Sequence, residues 1–136
     1  MKNILIVFGM IAMMAGAVWA DRAWNNMRVN ARTNAFNADV ENLFSSLQKY
    51  KEQVGTYPTG GNLEVAKALQ GHNPKNVIVI VGSKTSVNDR GEFLDPWGTP
   101  LRIYFSDTSV LIRSAGPNRR FDDSRTVDSD DYYWSN

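Results

Sequence analysis

Residues 36–59, FNADVENLFSSLQKYKEQVGTYPT, decide the fold because they carry an apolar stripe of helical spacing and then end it abruptly. The apolar positions follow the period of about 3.6 residues that defines one helix face, and polar residues fill the positions between them. The stripe consists of Phe36, Val40, Leu43, Phe44, Leu47, Tyr50 and Val54. Gly55 suits the left-handed residue that follows a helix, and Pro58 prevents continuation. The pattern predicts an amphipathic helix that ends at Val54.

The predicted helix extends upstream of this stripe, over residues 21–54. Residues 23–54 contain neither proline nor glycine. A thinner apolar stripe continues there with Trp24, Met27, Ala31 and Ala35. A helix of this length exceeds what a small domain can bury. Its N-terminal half therefore needs a membrane or other subunits, or it is cut away.

Residues 1–20, MKNILIVFGMIAMMAGAVWA, form a hydrophobic segment that has two interpretations. Lys2 precedes an uncharged run from Ile4 to Ala20, as in a secretory signal, and cleavage after Ala20 would release the rest of the chain. The same run is at the lower limit of length for a membrane anchor, with Lys2 on the cytoplasmic side. The sequence supports both interpretations, and in either case residues 21–136 form the domain.

The composition limits the classes of function. The chain has 136 residues, a net charge of +1 and no cysteine. The charge gives no basic surplus for nucleic acid, and the absence of cysteine excludes disulfides, thiolate catalysis and cysteine zinc sites. The one histidine, His72, precedes Asn73 and Pro74 and is expected to be an exposed loop residue. We therefore predict no enzymatic activity, no small-molecule substrate and no nucleic-acid partner.

Residues 55–136 are predicted to form a head of helices and strands. A short helix is expected over residues 62–70, and the β-branched run VIVIV at 77–81 indicates a buried strand or extended segment. The acidic C-terminal tail has no clear period. Its aromatic residues 132–134 are expected to close the sheet edge, although contact with a neighbouring subunit is the alternative.

A turn and a hairpin lie between these parts of the head. The stretch Asp95-Pro96-Trp97-Gly98 has the residues that a type I turn prefers, and Trp97 is expected to fill the core beneath it. The alternating stretches 101–105 and 110–113 predict a β-hairpin. Helices followed by strands indicate the α+β class, with a long N-terminal α-helix packed against a small antiparallel β-sheet head.

Three stretches in this order resemble the type IV pilin-like proteins, and most closely the major pseudopilin of type II secretion systems. They are LQKYKEQVGTYPT at 47–59, LDPWGTPLRIYF at 94–105 and IRSAGPN at 112–118, before the acidic tail. The resemblance implies a non-enzymatic structural subunit of a secretion pseudopilus or pilus-type filament. Its N-terminal helix would contact copies of itself or other pilin-like subunits. The subunit would be anchored in the bacterial inner membrane with a periplasmic head, or assembled in an envelope or extracellular filament.

The N-terminus differs from the family pattern. The family has a short basic leader that ends in glycine, and the processed chain begins Phe-Thr-Leu and reaches a glutamate. Here Met1 stands near the position of the processed end, and Leu5 takes the place of the glutamate. A second interpretation is therefore a soluble periplasmic or secreted binding module that keeps a pseudopilin-like head and is cleaved after Ala20.

The acidic tail contains the one candidate metal site in the sequence. Hard oxygen ligands at irregular spacing suit Ca²⁺. The resemblance implies a structural calcium ion bound by Leu111, Ser114, Asn118, Asp122, Asp128 and Asp130. Arg119 and Arg120 stand where the family has glycines, and their pairing with the aspartates is an alternative to a metal. A solvated acidic tail is the third interpretation.

Overall fold

A computed structural model of the chain describes residues 2–79, 85–123 and 129–136, with side chains described from Val18 onward. Its elements are the helices α1 (Lys2–Val54) and α2 (Asn62–Leu69) and the strands β1 (Arg102–Phe105), β2 (Val110–Ser114) and β3 (Tyr132–Ser135). The strands form one antiparallel sheet of three, in the order β1-β2-β3. This arrangement confirms the predicted α+β class. The chain divides into two compact units, Met1–Asn34 and Ala35–Asn136.

The first unit is the N-terminal part of α1, and its large apolar side chains from Val18 onward are exposed. Trp19 is 72% exposed, Trp24 is 60% exposed and Met27 is 63% exposed. Within the described residues, which omit the side chains before Val18, no helix has both the length and the apolarity that a membrane crossing requires. The prediction that residues 1–20 are a signal or an anchor lies almost entirely outside the described side chains.

The second unit buries the predicted stripe of α1 in its core. Phe36, Val40, Leu43, Leu47 and Tyr50 are buried. Two rings of β3 cover this face, with ring centroids 5.9 Å apart for Tyr132 and Phe36 and 4.7 Å apart for Trp134 and Phe44. Each fully buried side chain of this size stabilises the fold by about 1.5–3 kcal/mol. Burial also disfavours the phenolate of Tyr50 and so raises its pKa.

Helix α1 ends where the sequence predicts. The Gly55 amide donates to the Lys51 carbonyl at 2.8 Å, and Gly55 has the left-handed φ of +106° that a helix terminus requires. Tyr57 then folds back against the helix, because the Gln48 side-chain amide donates to its hydroxyl at 2.9 Å. The Lys51 ammonium lies 4.3 Å from the centroid of the same ring. These contacts fix the direction in which the chain leaves α1.

The turn and the hairpin are also confirmed. The Gly98 amide donates to the Asp95 carbonyl at 2.9 Å, as a type I turn requires. Strands β1 and β2 pair antiparallel over residues 102–105 and 110–113. Trp97 is buried as expected, and its ring stacks on Tyr132 with 5.0 Å between centroids.

The sequence pattern left two segments of the head without a definite assignment. Val77 to Val79 form no strand, and Ile78 makes a single bridge with Gln70. The rest of the VIVIV run lies outside the described residues. The aromatic tail, which has no clear period, forms strand β3 at the sheet edge, as the preferred interpretation of residues 132–134 expected.

Candidate metal centre

A tight turn after β2 brings together two segments of the acidic tail, residues 117–123 and 129–131, which we call the acidic segments. Gly116 has a left-handed φ of +65°, and a Cβ at this position would lie 2.0 Å from the carbonyl oxygen of Asp130. Only glycine therefore allows this close approach. The Arg119 amide closes the turn on the Gly116 carbonyl at 3.1 Å. Arg119 itself has a φ of +59°, a conformation that glycine would adopt at lower cost.

Asn118 connects the aspartates of the two segments. Its backbone amide donates to Asp130 Oδ2 at 3.1 Å, and its side-chain amide donates to Asp122 Oδ2 at 2.8 Å. The side-chain oxygen of Asn118 accepts from the Arg120 amide at 2.6 Å. Asn118, Asp122 and Asp130 were predicted as ligands from the sequence, and the fold brings these three together.

Asp122, Asp130 and Asp131 form a carboxylate triad that can hold a metal ion. One carboxylate oxygen from each of the three residues lies within 4.8 Å of the others. Asp130 Oδ1 is buried and has no hydrogen-bond partner within the described residues, so a ligand here would satisfy it. Carboxylate oxygens are the ligands that Ca²⁺ and Mg²⁺ prefer. Asp131 was not among the ligands predicted from the sequence.

Arg113 brings a positive charge to the same triad. It forms an ion pair with Asp131 and donates to the backbone carbonyl of Asp122. The Asp131 side chain is fully buried, and its Oδ1 also accepts from the Asp122 amide at 3.3 Å. The ion pair with Asp131 is made by Arg113, whereas the sequence suggested Arg119 and Arg120 as the arginines that pair with the aspartates.

The other predicted ligands are placed differently. The Ser114 hydroxyl is buried and donates to Asp95 Oδ2 at 2.7 Å, so it serves the turn at Asp95. Leu111 lies within β2, where it pairs with Ser135 of β3. Asp128 lies outside the described residues. The donor set is therefore three carboxylates with Asn118 beside them, which fits a hard cation but leaves Arg113 as a competitor for Asp131.

Comparisons of the chain with protein-family models, curated proteins and solved structures find no significant match. The likeness to pseudopilins consequently remains a prediction based on the three sequence stretches.

Proposed function

We propose that the protein is a non-enzymatic, pilin-like structural subunit of a secretion pseudopilus or pilus-type filament. The observation that carries the proposal is helix α1, Lys2–Val54, which continues far beyond the residues that the head core covers. The three pilin-like stretches in the head support the same assignment. The hydrophobic run from Ile4 to Ala20 would anchor the subunit in the inner membrane, with its head in the periplasm.

The exposed apolar residues of the first unit supply a surface for subunit contacts. Ala20, Trp24, Met27 and Ala31 are spaced by four, three and four positions, so they share one face of α1. This is the spacing of a helix–helix seam, in which large side chains of one helix fit between those of another. Trp24 and Met27 are more than half exposed, and a solvent-facing stripe of this kind marks an interaction surface.

Cysteine cross-linking of the full-length chain in membranes tests the subunit proposal, because the native chain has no cysteine. Met27→Cys lies on the seam, and Val29→Cys, two residues further on, lies on the opposite face as a matched exposed control. We expect disulfide-linked oligomers from Met27→Cys and few from Val29→Cys. Intact mass measured on the same membranes should include residues 1–20. A soluble monomer that begins at Asp21 would contradict the proposal and favour the secreted binding module.

We also propose that the ion held by the triad is Ca²⁺, in a structural role. The ion would be held by Asp122, Asp130 and Asp131. By neutralising their carboxylates, it would join the two acidic segments to each other. Asp130 Oδ1 supports the proposal, because it is buried and has no hydrogen-bond partner within the part of the chain that the structure describes. The competing Arg113 charge predicts weak binding, in the millimolar range of about 10⁻⁴–10⁻³ M that extracellular calcium modules show.

Calcium should therefore raise the thermal midpoint modestly. With a Kd of about 1 mM, 10 mM Ca²⁺ would stabilise the folded head by about 1.4 kcal/mol, or about 6–11 °C for a domain of this size. The comparison is thermal melting in EDTA and in Ca²⁺, with Mg²⁺ at equal ionic strength as the control. Asp130→Asn should abolish the shift, since it removes the unpartnered carboxylate oxygen. Equal midpoints in EDTA and Ca²⁺ would exclude a structural calcium ion.

A further inference from the structure

We propose that the guanidinium of Arg113 holds the acidic segments on the sheet without a metal. We call this set of contacts the clasp. The acidic segments are residues 117–123 and 129–131. Arg113 lies within β2, between Arg102 of β1 and Tyr133 of β3. It is thus anchored in the most firmly paired strand of the sheet, and its side chain reaches outward to both segments. This role requires no bound calcium, with which Arg113 competes for Asp131.

The guanidinium contacts both segments at once. It pairs with the Asp131 carboxylate in the second segment and donates to the Asp122 carbonyl in the first. The planar guanidinium can make several directed hydrogen bonds, which suits it to joining two chains of backbone. Asp122 and Asp131 are nine residues apart in the chain, so Arg113 joins two separate segments.

Aromatic rings shield the clasp from solvent. The Arg113 guanidinium lies 5.4 Å from the ring centroid of Phe121 and 5.2 Å from that of Tyr133. The other arginine of this face, Arg102, lies 3.9 Å from the Phe121 centroid, so two cations share one ring. Cations above ring faces are attracted by the ring quadrupole, and shielding from water strengthens the adjoining ion pair. Phe121 thereby adds the first acidic segment to the clasp through its side chain as well as its backbone.

The charge balance explains why a cation is needed here. The Asp131 side chain is fully buried. A buried carboxylate without a partner is strongly destabilising, and its carboxylate neighbours Asp122 and Asp130 add repulsion. Arg113 supplies a positive charge at this point. It does from within the chain what a divalent ion would otherwise do.

The clasp also fixes the start of β3. Asp131 directly precedes Tyr132, which stacks on Trp97 and packs against Phe36 of α1. If Arg113 releases Asp131, the buried carboxylate gains from moving into water and draws β3 away from the helix. Loss of the clasp should therefore loosen the acidic segments and β3 together, while α2 and β1 stay in place.

Hydrogen exchange of the full-length chain in EDTA tests the clasp. In Arg113→Met, amides of residues 118–123 and 130–135 should exchange at least about 100-fold faster than in the unmodified chain, and those of α2 should be unchanged. Arg102→Met is the matched control, because Arg102 contacts the same Phe121 ring but lacks the Asp131 ion pair. It should accelerate exchange in the same residues by less than about 10-fold.

Three results would overturn the proposal. One is unchanged exchange in Arg113→Met, and another is an equal acceleration throughout the head, which would mean a general loss of stability. The third is rapid exchange of the acidic segments in the unmodified chain in EDTA that slows only with Ca²⁺, which would support the calcium site instead.

If Arg113→Met does not fold, Arg113→Lys is measured in its place. Lysine keeps the positive charge but loses the forked geometry of the guanidinium, so we expect a smaller acceleration of exchange, confined to the same residues. Unchanged exchange in Arg113→Lys, or an equal acceleration throughout the head, would again overturn the clasp.

Discussion

Asn62→Asp is expected to destabilise the head by about 4 kcal/mol or more, a large share of the total stability of a small domain. Asn62 is buried at the start of α2. Its side-chain amide donates to the Phe93 carbonyl at 2.8 Å and to the Leu101 carbonyl at 2.9 Å, and its side-chain oxygen accepts from the Phe93 amide at 2.8 Å. Aspartate would place a carboxylate oxygen against two carbonyl oxygens in a buried site, where both repulsion and desolvation oppose it.

Asn62→Ala separates the lost hydrogen bonds from the added charge. It leaves one amide and two carbonyls without their partner, which should cost about 3 kcal/mol. The substitution Asn37→Asp, at an exposed position of α1, makes the same chemical change outside the core and should stay within about 0.5 kcal/mol. Urea unfolding of the three variants gives the comparison.

The effect of Asn62→Asp should also depend on pH. Protonation of the new carboxyl would return one donor to the site. The loss of unfolding free energy in Asn62→Asp should therefore shrink as the pH falls below the raised pKa of that carboxyl. A loss below about 1 kcal/mol for Asn62→Asp would show that the amide bridge is not needed.

The local sequence pattern predicts the helix α1, its end and the hairpin, because each depends on residues close in the chain. The stripe from Phe36 to Val54 has one helical period, and Gly55 needs only its own backbone freedom to end the helix. The role of Asn62 does not follow from local sequence. An asparagine at a helix start suggests a cap, whereas its partners Phe93 and Leu101 are 31 and 39 residues away. Only the folded chain brings them to the same amide.

The acidic site was predictable only in part, because some of its residues are close in the chain and others are brought in by strand pairing. The irregularly spaced aspartates indicated a cation site. The resemblance to pseudopilins implied Asn118, Asp122 and Asp130 among its ligands, and these three do come together. Asp131 and Arg113 gain their roles from the pairing of β2 with β3, which aligns Arg113 with Tyr133, two residues beyond Asp131. Strand β3 has no periodic signal of its own, since its position depends on packing against α1 and pairing with β2. The sequence pattern therefore marked Arg113 as a hairpin residue and gave no sign that it belongs to the acidic site.

Asp95→Ala is expected to destabilise the head by about 3 kcal/mol, because one buried carboxylate organises both the turn and the end of β2. Asp95 is 3% exposed. Its Oδ1 accepts from the Trp97 amide at 3.0 Å and from the Thr99 amide at 2.8 Å, while its Oδ2 accepts from the Ser114 hydroxyl at 2.7 Å. The same hydroxyl accepts from the Gly116 amide at 3.0 Å, so the contact reaches the turn that positions the acidic segments.

Asp95→Asn tests whether the hydrogen bonds of the Asp95 side chain or its negative charge stabilise the head. Its side-chain oxygen still accepts from the Trp97 and Thr99 amides, and its amide can donate to the Ser114 hydroxyl in place of the present bond. We therefore expect a loss of about 1 kcal/mol, against about 3 kcal/mol for alanine. Asp107→Ala, at an exposed hairpin position, is the matched control and should change the unfolding free energy by less than about 0.5 kcal/mol.

A double-mutant cycle tests the contact between Asp95 and Ser114. The combined variant Asp95→Ala and Ser114→Ala should lose less unfolding free energy than the sum of the two single losses, since each substitution removes the partner of the other. Additive losses would mean that the turn at Asp95 and the end of β2 are stabilised independently.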